Sequence, residues 1–188
     1  RINRVNKNEN LLKIKDEFSQ AMKPYAYGIN NDTLEEVLGF KLINNNFTIA
    51  TAESCTGGLI GKRLTDTAGS SAYFLGSVTA YSNQLKTSLL DVPNDIIDTH
   101  GAVSEETALE MAKGVRDKTG ADIAISTTGI SGPGGGTKTK PVGLVYIGVV
   151  TPENFIVKKY NFSYGRNIHR EMAATAALNM ARLAIEQN

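Results

Sequence analysis

The segment Glu53-Ser54-Cys55-Thr56-Gly57-Gly58 places nucleophilic side chains beside two glycines. It lies between a predicted buried strand, Phe47–Ala52, and a predicted helix, Thr56–Thr65. Ligands of open α/β sheets collect at the carboxyl ends of strands, and a helix start presents unpaired N–H groups there. Such a turn can bind a phosphate or hold the oxyanion of an acyl-transfer intermediate. A plain helix cap by Ser54 or Thr56 is an equally good interpretation.

A serine nucleophile needs a base, and the sequence offers few candidates. Neither of the two histidines, His100 and His169, lies in a serine-hydrolase signature, and no Gly-x-Ser-x-Gly occurs. A lysine whose pKa is lowered by burial can serve instead, and Lys86 follows Tyr81 by about one helical turn after the next predicted strand. Taken alone, Lys86 is better interpreted as a surface lysine. Tyr81 fits either packing or a proton relay.

Two further features suit an anionic ligand. The loop from Gly129 to Lys138 is dense in glycine, but it matches neither a Walker A loop nor a dinucleotide fingerprint, so a flexible turn is the alternative. Arg166 and Arg170 lie one turn apart at the start of the last predicted helix, where two guanidinium groups suit a phosphate or carboxylate. Exposed arginines are common at such positions, so this signal is weak by itself.

Cys55 and the histidines favour simpler interpretations. Cys55 lacks an evident histidine partner, so we expect a buried or inert thiol. His100 is expected to organise the turn before a helix capped by Ser104. No metal site is predicted, because the histidines are far apart and no carboxylate cluster accompanies them.

The elements that must position these residues alternate between strand and helix. We therefore predict an α/β fold, a three-layer sandwich whose mostly parallel sheet carries an antiparallel edge hairpin, with helices on both faces. The other predicted helices are Leu11–Met22, one that begins at Asp32 or Thr33, Ser82–Leu90, Ser104–Lys118 and Arg166–Glu186. The other predicted strands are Phe74–Tyr81, Ala121–Thr128, Val142–Thr151 and Asn154–Phe162.

Composition narrows the function classes. The 188 residues are 41% hydrophobic and 21% charged, which fits one compact domain, with or without a short appendage. The net charge is +1, and the basic excess lies in residues 1–31, with six Lys/Arg against three Asp/Glu. Nucleic-acid and membrane partners are therefore not expected for the main domain. One cysteine, no membrane-length apolar run and no signal-peptide pattern predict a cytoplasmic location.

Several motifs in order carry a resemblance over about residues 32–188. They are Thr51-Ala-Glu-Ser-Cys-Thr-Gly-Gly58, Ala68-Gly-Ser-Ser71, Tyr81-Ser-Asn-Gln-Leu-Lys86, His100-Gly-Ala-Val-Ser-Glu105, Thr128-Gly-Ile-Ser-Gly-Pro-Gly-Gly135, Lys140-Pro-Val-Gly143 and Gly165-Arg166 with Arg170. Together they resemble the C-terminal domain of the CinA family, the nicotinamide-mononucleotide deamidases. Pro24-Tyr-Ala-Tyr-Gly28 and Asn31-Asp-Thr-Leu-Glu35 resemble the junction that precedes this domain in two-domain CinA proteins. We therefore expect residues 1–31 to be a helix and linker left from that junction, and residues 32–188 to be the deamidase-like domain.

The resemblance implies hydrolysis of nicotinamide mononucleotide to nicotinate mononucleotide and ammonia, with no cofactor and no metal. It implies Ser54 as nucleophile, Lys86 as base and Tyr81 as a relay or positioning partner. It also implies nucleotide contacts, which are Thr56, Gly57, Gly129, Ser131, Gly132, Gly134, Arg166 and Arg170. Ser131 stands where the family often has alanine. A homo-oligomer is expected for so small a domain, and a non-catalytic nucleotide-binding module is the alternative function.

Overall fold

The computed structural model describes residues 4–22, 25–28 and 30–185. The chain divides into two compact units, one ending at Thr33 and one beginning at Leu34. That the first segment is left from a junction with another domain stays a prediction. Pro24 of the predicted linker and Glu186 of the last predicted helix lie outside the described residues.

The first unit contains one long helix, α1 (Arg4–Ala21). It begins seven residues earlier than the predicted helix Leu11–Met22 and ends one residue earlier. Leu11, Ile14 and Phe18 of the apolar stripe are each more than half exposed. Helical periodicity therefore located the helix correctly, although its apolar stripe is not buried.

The second unit holds a five-stranded sheet with helices on both sides. Its strands are β1 (Ile49–Glu53), β2 (Phe74–Thr79), β3 (Ile123–Gly129), β4 (Leu144–Val150) and β5 (Phe155–Asn161). Its helices are α2 (Leu34–Asn44), α3 (Leu59–Thr65), α4 (Asn83–Leu90), α5 (Asn94–His100), α6 (Glu105–Thr119) and α7 (Arg166–Ile185), with a 3-10 turn at Ser70–Ala72.

The strand order is β2-β1-β3-β4-β5. β1 runs parallel to β2 and β3, whereas β4 pairs antiparallel with both β3 and β5 and forms the edge hairpin with β5. One core cluster joins α2, α3 and α7 to one face of the sheet, and a second joins α4, α5 and α6 to the other. The predicted α/β three-layer architecture is therefore confirmed, with β1 at the centre of the parallel strands.

Two details of the secondary structure were not predicted correctly. The helix expected from Thr56 begins only at Leu59, because Gly57 and Gly58 adopt φ values of 62° and 89° that interrupt a right-handed helix. Helix α5 was missed, because seven residues starting after a proline give too little periodicity for a sequence pattern to identify. The cap predicted at Ser104 is confirmed, since its hydroxyl accepts the Thr107 N–H at 3.1 Å.

Candidate active site

Ser54 follows directly after the last residue of β1, the middle one of the three parallel strands. Its N–H donates to the Thr127 carbonyl of β3 at 3.0 Å, and its own carbonyl accepts the Gly57 N–H at 3.1 Å. The positive φ values of Gly57 and Gly58 let the chain turn sharply before α3 begins. Ser54 is thus held on a tight turn at the carboxyl end of the parallel strands. Of the N–H groups in this turn, that of Gly57 already donates to the Ser54 carbonyl.

Glu53 stabilises the start of α3, and Ser54 and Thr56, the two residues considered as caps, do not. The buried Glu53 carboxylate accepts the N–H groups of Ile60 at 3.1 Å and Gly61 at 2.8 Å. The N-cap position is Gly58, and the Thr56 hydroxyl bonds instead to the Thr127 hydroxyl at 2.7 Å. The capping interpretation of Ser54 and Thr56 is therefore wrong. A carboxylate already fills the helix start, so that start offers no phosphate site.

Lys86 lies in the first turns of α4 and points into the domain. Ser82 caps this helix by accepting the Leu85 N–H at 3.2 Å. The Lys86 side chain is 2% exposed, and its Nζ lies 3.1 Å from Ser54 Oγ. The surface-lysine interpretation is therefore wrong, and the structure pairs this amine with the serine hydroxyl.

Burial also sets the protonation of this pair. Desolvation lowers the pKa of Lys86, because a charged ammonium is disfavoured away from water. Nζ contacts two main-chain acceptors besides Ser54, the carbonyl of Ala80 at 3.1 Å and that of Tyr81 at 3.4 Å. A neutral amine has two N–H donors and one lone pair. When the two carbonyls take the donors, the lone pair is left to accept the hydrogen of the Ser54 hydroxyl.

Cys55 is the neighbour of the serine but is a poor nucleophile. Burial raises the pKa of its thiol to about 12. A thiol with that pKa carries almost no thiolate at neutral pH. The predicted burial of Cys55 is confirmed.

The Ser54–Lys86 pair opens into a cavity of about 280 Å³. Eight of the eleven predicted site residues line it, which are Ser54, Tyr81, Lys86, Gly129, Ser131, Gly132, Gly134 and Arg166. Thr56, Gly57 and Arg170 are not among the lining residues. The fold thus brings the serine turn, the start of α4, the glycine-rich loop and the start of α7 around one space.

The two arginines in the first turns of α7 have different surroundings. Arg166 donates through Nη2 to the Tyr81 hydroxyl and through Nη1 to the Gly132 carbonyl, both at 3.0 Å. Arg170 instead directs Nε and Nη2 at the Thr56 carbonyl, at 3.2 and 2.6 Å. Arg166 therefore borders the cavity, whereas Arg170 holds the turn that carries Ser54.

Sequence reasoning missed several residues of this region. Asn83, Ala102, Val103 and Thr128 line the cavity, and the Thr128 hydroxyl donates to the Ala102 carbonyl at 2.5 Å. All four residues were inside the quoted motifs, so membership of a motif was the available signal. Ala102 and Val103 reach the cavity through the packing of α5 and α6, which no local pattern shows.

The described part of the chain holds neither a metal-binding cluster nor a membrane-spanning helix. Within residues 4–22, 25–28 and 30–185, no three His, Cys, Asp or Glu residues come together as a possible metal site. In the same residues, no helix is long and apolar enough to cross a membrane.

Fold and site together define an α/β three-layer domain with a buried serine–lysine pair at the carboxyl edge of its sheet. Residues 31–185 match the model of the CinA C-terminal domain. The chain belongs to the CinA family. A CinA-like protein of Desulfotalea psychrophila is 48% identical over 168 residues, covering 89% of this chain and 41% of that protein. A CinA-like protein of Chloroherpeton thalassium is 48% identical over 187 residues, covering 94% and 44% respectively. The chain thus spans about two fifths of the length of these curated relatives.

Solved structures agree with this assignment. The competence/damage inducible protein CihA from Agrobacterium tumefaciens is 37% identical, with a TM-score of 0.76 over 85% of this chain and 99% of that one. A CinA superfamily protein from Klebsiella pneumoniae is 28% identical, with a TM-score of 0.79 over 84% of this chain and 100% of that one. The second unit therefore has the fold of the CinA superfamily.

Proposed function

We propose that this chain is an amidohydrolase that converts nicotinamide mononucleotide to nicotinate mononucleotide and ammonia. The observation that carries the proposal is the buried Lys86 Nζ, 3.1 Å from Ser54 Oγ in the wall of a cavity. A hydroxyl beside a neutral amine is the arrangement that a serine–lysine nucleophile needs. The substrate is taken from the resemblance of the motifs to the CinA deamidases.

The first half of the reaction forms an acyl-enzyme. Lys86 accepts the Ser54 proton while Oγ attacks the carboxamide carbon, giving a tetrahedral oxyanion. Collapse of this intermediate breaks the C–N bond, and the Lys86 ammonium gives its proton to the departing nitrogen, which leaves as ammonia. The Gly57 N–H does not serve the oxyanion, because it already donates to the Ser54 carbonyl.

The second half releases the product. Lys86 takes a proton from water, the hydroxide attacks the ester carbon, and the bond to Ser54 Oγ breaks as Lys86 returns the proton to that oxygen. The sum consumes one amide and one water and yields one carboxylic acid, which ionises, and one ammonia. The same amine acts as base and acid in both halves, which its lowered pKa favours.

Tyr81 and Arg166 are proposed as positioning and binding residues. The Tyr81 carbonyl orients Lys86 Nζ, while its hydroxyl accepts from Arg166. A guanidinium has five N–H donors, and Arg166 uses two nitrogens on protein acceptors, so it can also meet a phosphate at the cavity. The glycines of the neighbouring loop are proposed to lie against the nucleotide.

The direct test is ammonia release from nicotinamide mononucleotide by the parent chain and its Ser54→Ala variant. We expect release by the parent and loss of release in the variant, together with nicotinate mononucleotide as the only other product. Release by both would overturn Ser54 as the nucleophile. No release by a parent chain that binds the nucleotide would replace the proposal with a non-catalytic nucleotide-binding module.

A further inference from the structure

Ser131 carries a buried hydroxyl that no group among the described residues satisfies. The residue is 5% exposed, lines the cavity, and its Oγ has no hydrogen-bond partner in the described structure. Most buried polar atoms in proteins are hydrogen-bonded, so an orphaned hydroxyl requires a reason. Other buried hydroxyls nearby have partners, as Ser126 donates to the Ala108 carbonyl and Thr128 to the Ala102 carbonyl. The orphan at the cavity wall therefore indicates a partner supplied by a ligand.

The position of Ser131 indicates which part of the ligand it meets. β1 pairs with β3 so that Glu53 lies opposite Thr127, which places Thr128 at the level of Ser54. The chain stays extended beyond it, because Gly129 pairs with Val145 and Ile130 hydrogen-bonds to the main chain at the start of β4. Three extended residues advance about 10 Å, so the backbone of Ser131 lies farther along the strand direction than the nucleophile.

The charge beside Ser131 agrees with that position. The next residue, Gly132, has its carbonyl held by the Arg166 guanidinium at 3.0 Å. A neutral hydroxyl adjoining a cation suits the oxygens of a sugar phosphate better than it suits an aromatic amide. The amide itself must lie at Ser54 and Lys86 if the reaction is the proposed one.

We propose that Ser131 Oγ hydrogen-bonds an oxygen of the ribose phosphate and so selects nucleotides over free amides. The inference rests on the proposed function for the identity of the substrate. Alanine in this position would leave the oxygen without that partner, so the serine is a specificity-determining residue of this chain.

The test compares Ser131→Ala with Ser126→Ala, a matched change at a buried serine whose hydroxyl has a protein partner. Binding is measured in the Ser54→Ala background by ligand-observed NMR titration, with nicotinamide mononucleotide, nicotinamide riboside and nicotinamide as probes. We expect Ser131→Ala to weaken mononucleotide binding about 3- to 10-fold, the effect of one hydrogen bond, and to leave nicotinamide binding unchanged. Loss with the riboside as well assigns the contact to the ribose, and loss with the mononucleotide alone assigns it to the phosphate.

Stability supplies a second readout. Ser131→Ala removes no protein hydrogen bond, so its Tm should equal or exceed that of the parent, whereas Ser126→Ala should lower Tm and leave mononucleotide binding unchanged. The inference would be overturned if Ser131→Ala bound the mononucleotide as tightly as the parent, or if its binding of nicotinamide weakened equally. It would also be overturned if Ser131→Ala lost as much Tm as Ser126→Ala. Failure of the parent to release ammonia would overturn the proposed function alone, because the binding comparison does not depend on turnover.

Discussion

Replacement of Lys86 by methionine tests the proposed base most sharply. Methionine keeps an unbranched apolar side chain of similar length and removes the amine that lies 3.1 Å from Ser54 Oγ. Among the described residues, Lys86 is the only side chain that hydrogen-bonds to that hydroxyl, so no second base stands ready to replace it. The variant therefore isolates the proton transfer from the shape of the cavity.

The expected loss follows from the role of the amine. General acid–base groups contribute about 10²- to 10⁴-fold, equivalent to about 2.7–5.4 kcal/mol of transition-state stabilisation. Because Lys86 is proposed to act in both halves of the reaction, we expect a fall in kcat of about 10³-fold or more, towards the upper end of that range. The KM should change much less, because the amine is proposed to move protons and not to anchor the nucleotide.

The assay is steady-state ammonia release from nicotinamide mononucleotide, with Lys113→Met as the matched control. Lys113 is an exposed lysine of α6 paired with Glu110, and such surface pairs contribute little. The control should retain parental activity. Burial disfavours the ammonium form of Lys86 and lowers its pKa, so an uncharged apolar replacement should not lower Tm at pH 7. A folded Lys86→Met variant that keeps more than about a tenth of parental kcat would refute the reasoning.

Four other outcomes are expected. The kcat/KM of the parent should rise with pH, because Lys86 is active when neutral. The midpoint of the rise should lie below the ordinary lysine pKa of about 10.4, because burial lowers the pKa of Lys86. A kcat/KM that shows no rise at any pH below that value would contradict the assignment. Glu53→Gln should lower the free energy of unfolding by about 1.5–3 kcal/mol in urea titration, because an amide cannot accept with both terminal atoms from Ile60 and Gly61. Iodoacetamide at pH 8 should label Cys55 far more slowly in the native protein than in the urea-unfolded chain, because burial raises the pKa of this thiol to about 12. Mass spectrometry follows the labelling, and equal rates would show an accessible thiolate. Tyr81→Phe should raise KM while kcat stays within about threefold, since its hydroxyl bonds to Arg166; a large fall in kcat alone would favour the proton relay.

The sequence by itself determined the fold class and most of the candidate residues. Alternation of apolar strands with amphipathic helices is a local property, and it predicted the parallel strands, the edge hairpin and helices such as α6 with its cap at Ser104. The motifs then indicated Ser54, Lys86 and Arg166 in sequence order. Short elements escaped, because α5 has only seven residues and its formation depends on packing against α6.

Tertiary structure decided which alternative applied at each candidate. Nothing local distinguishes a surface lysine from a buried one, and only the packing of α4 beside the end of β1 desolvates Lys86 and brings it to Ser54. The sequence left a cap of α3 by Ser54 or Thr56 as an equally good alternative, whereas Glu53 takes that role because β1 directs its side chain at the helix start. The pKa of Lys86, the orphaned hydroxyl of Ser131 and the different partners of Arg166 and Arg170 likewise depend on residues distant in sequence. Burial and hydrogen bonding are properties of the assembled neighbourhood, and the chain acquires them only when its strands and helices pack together.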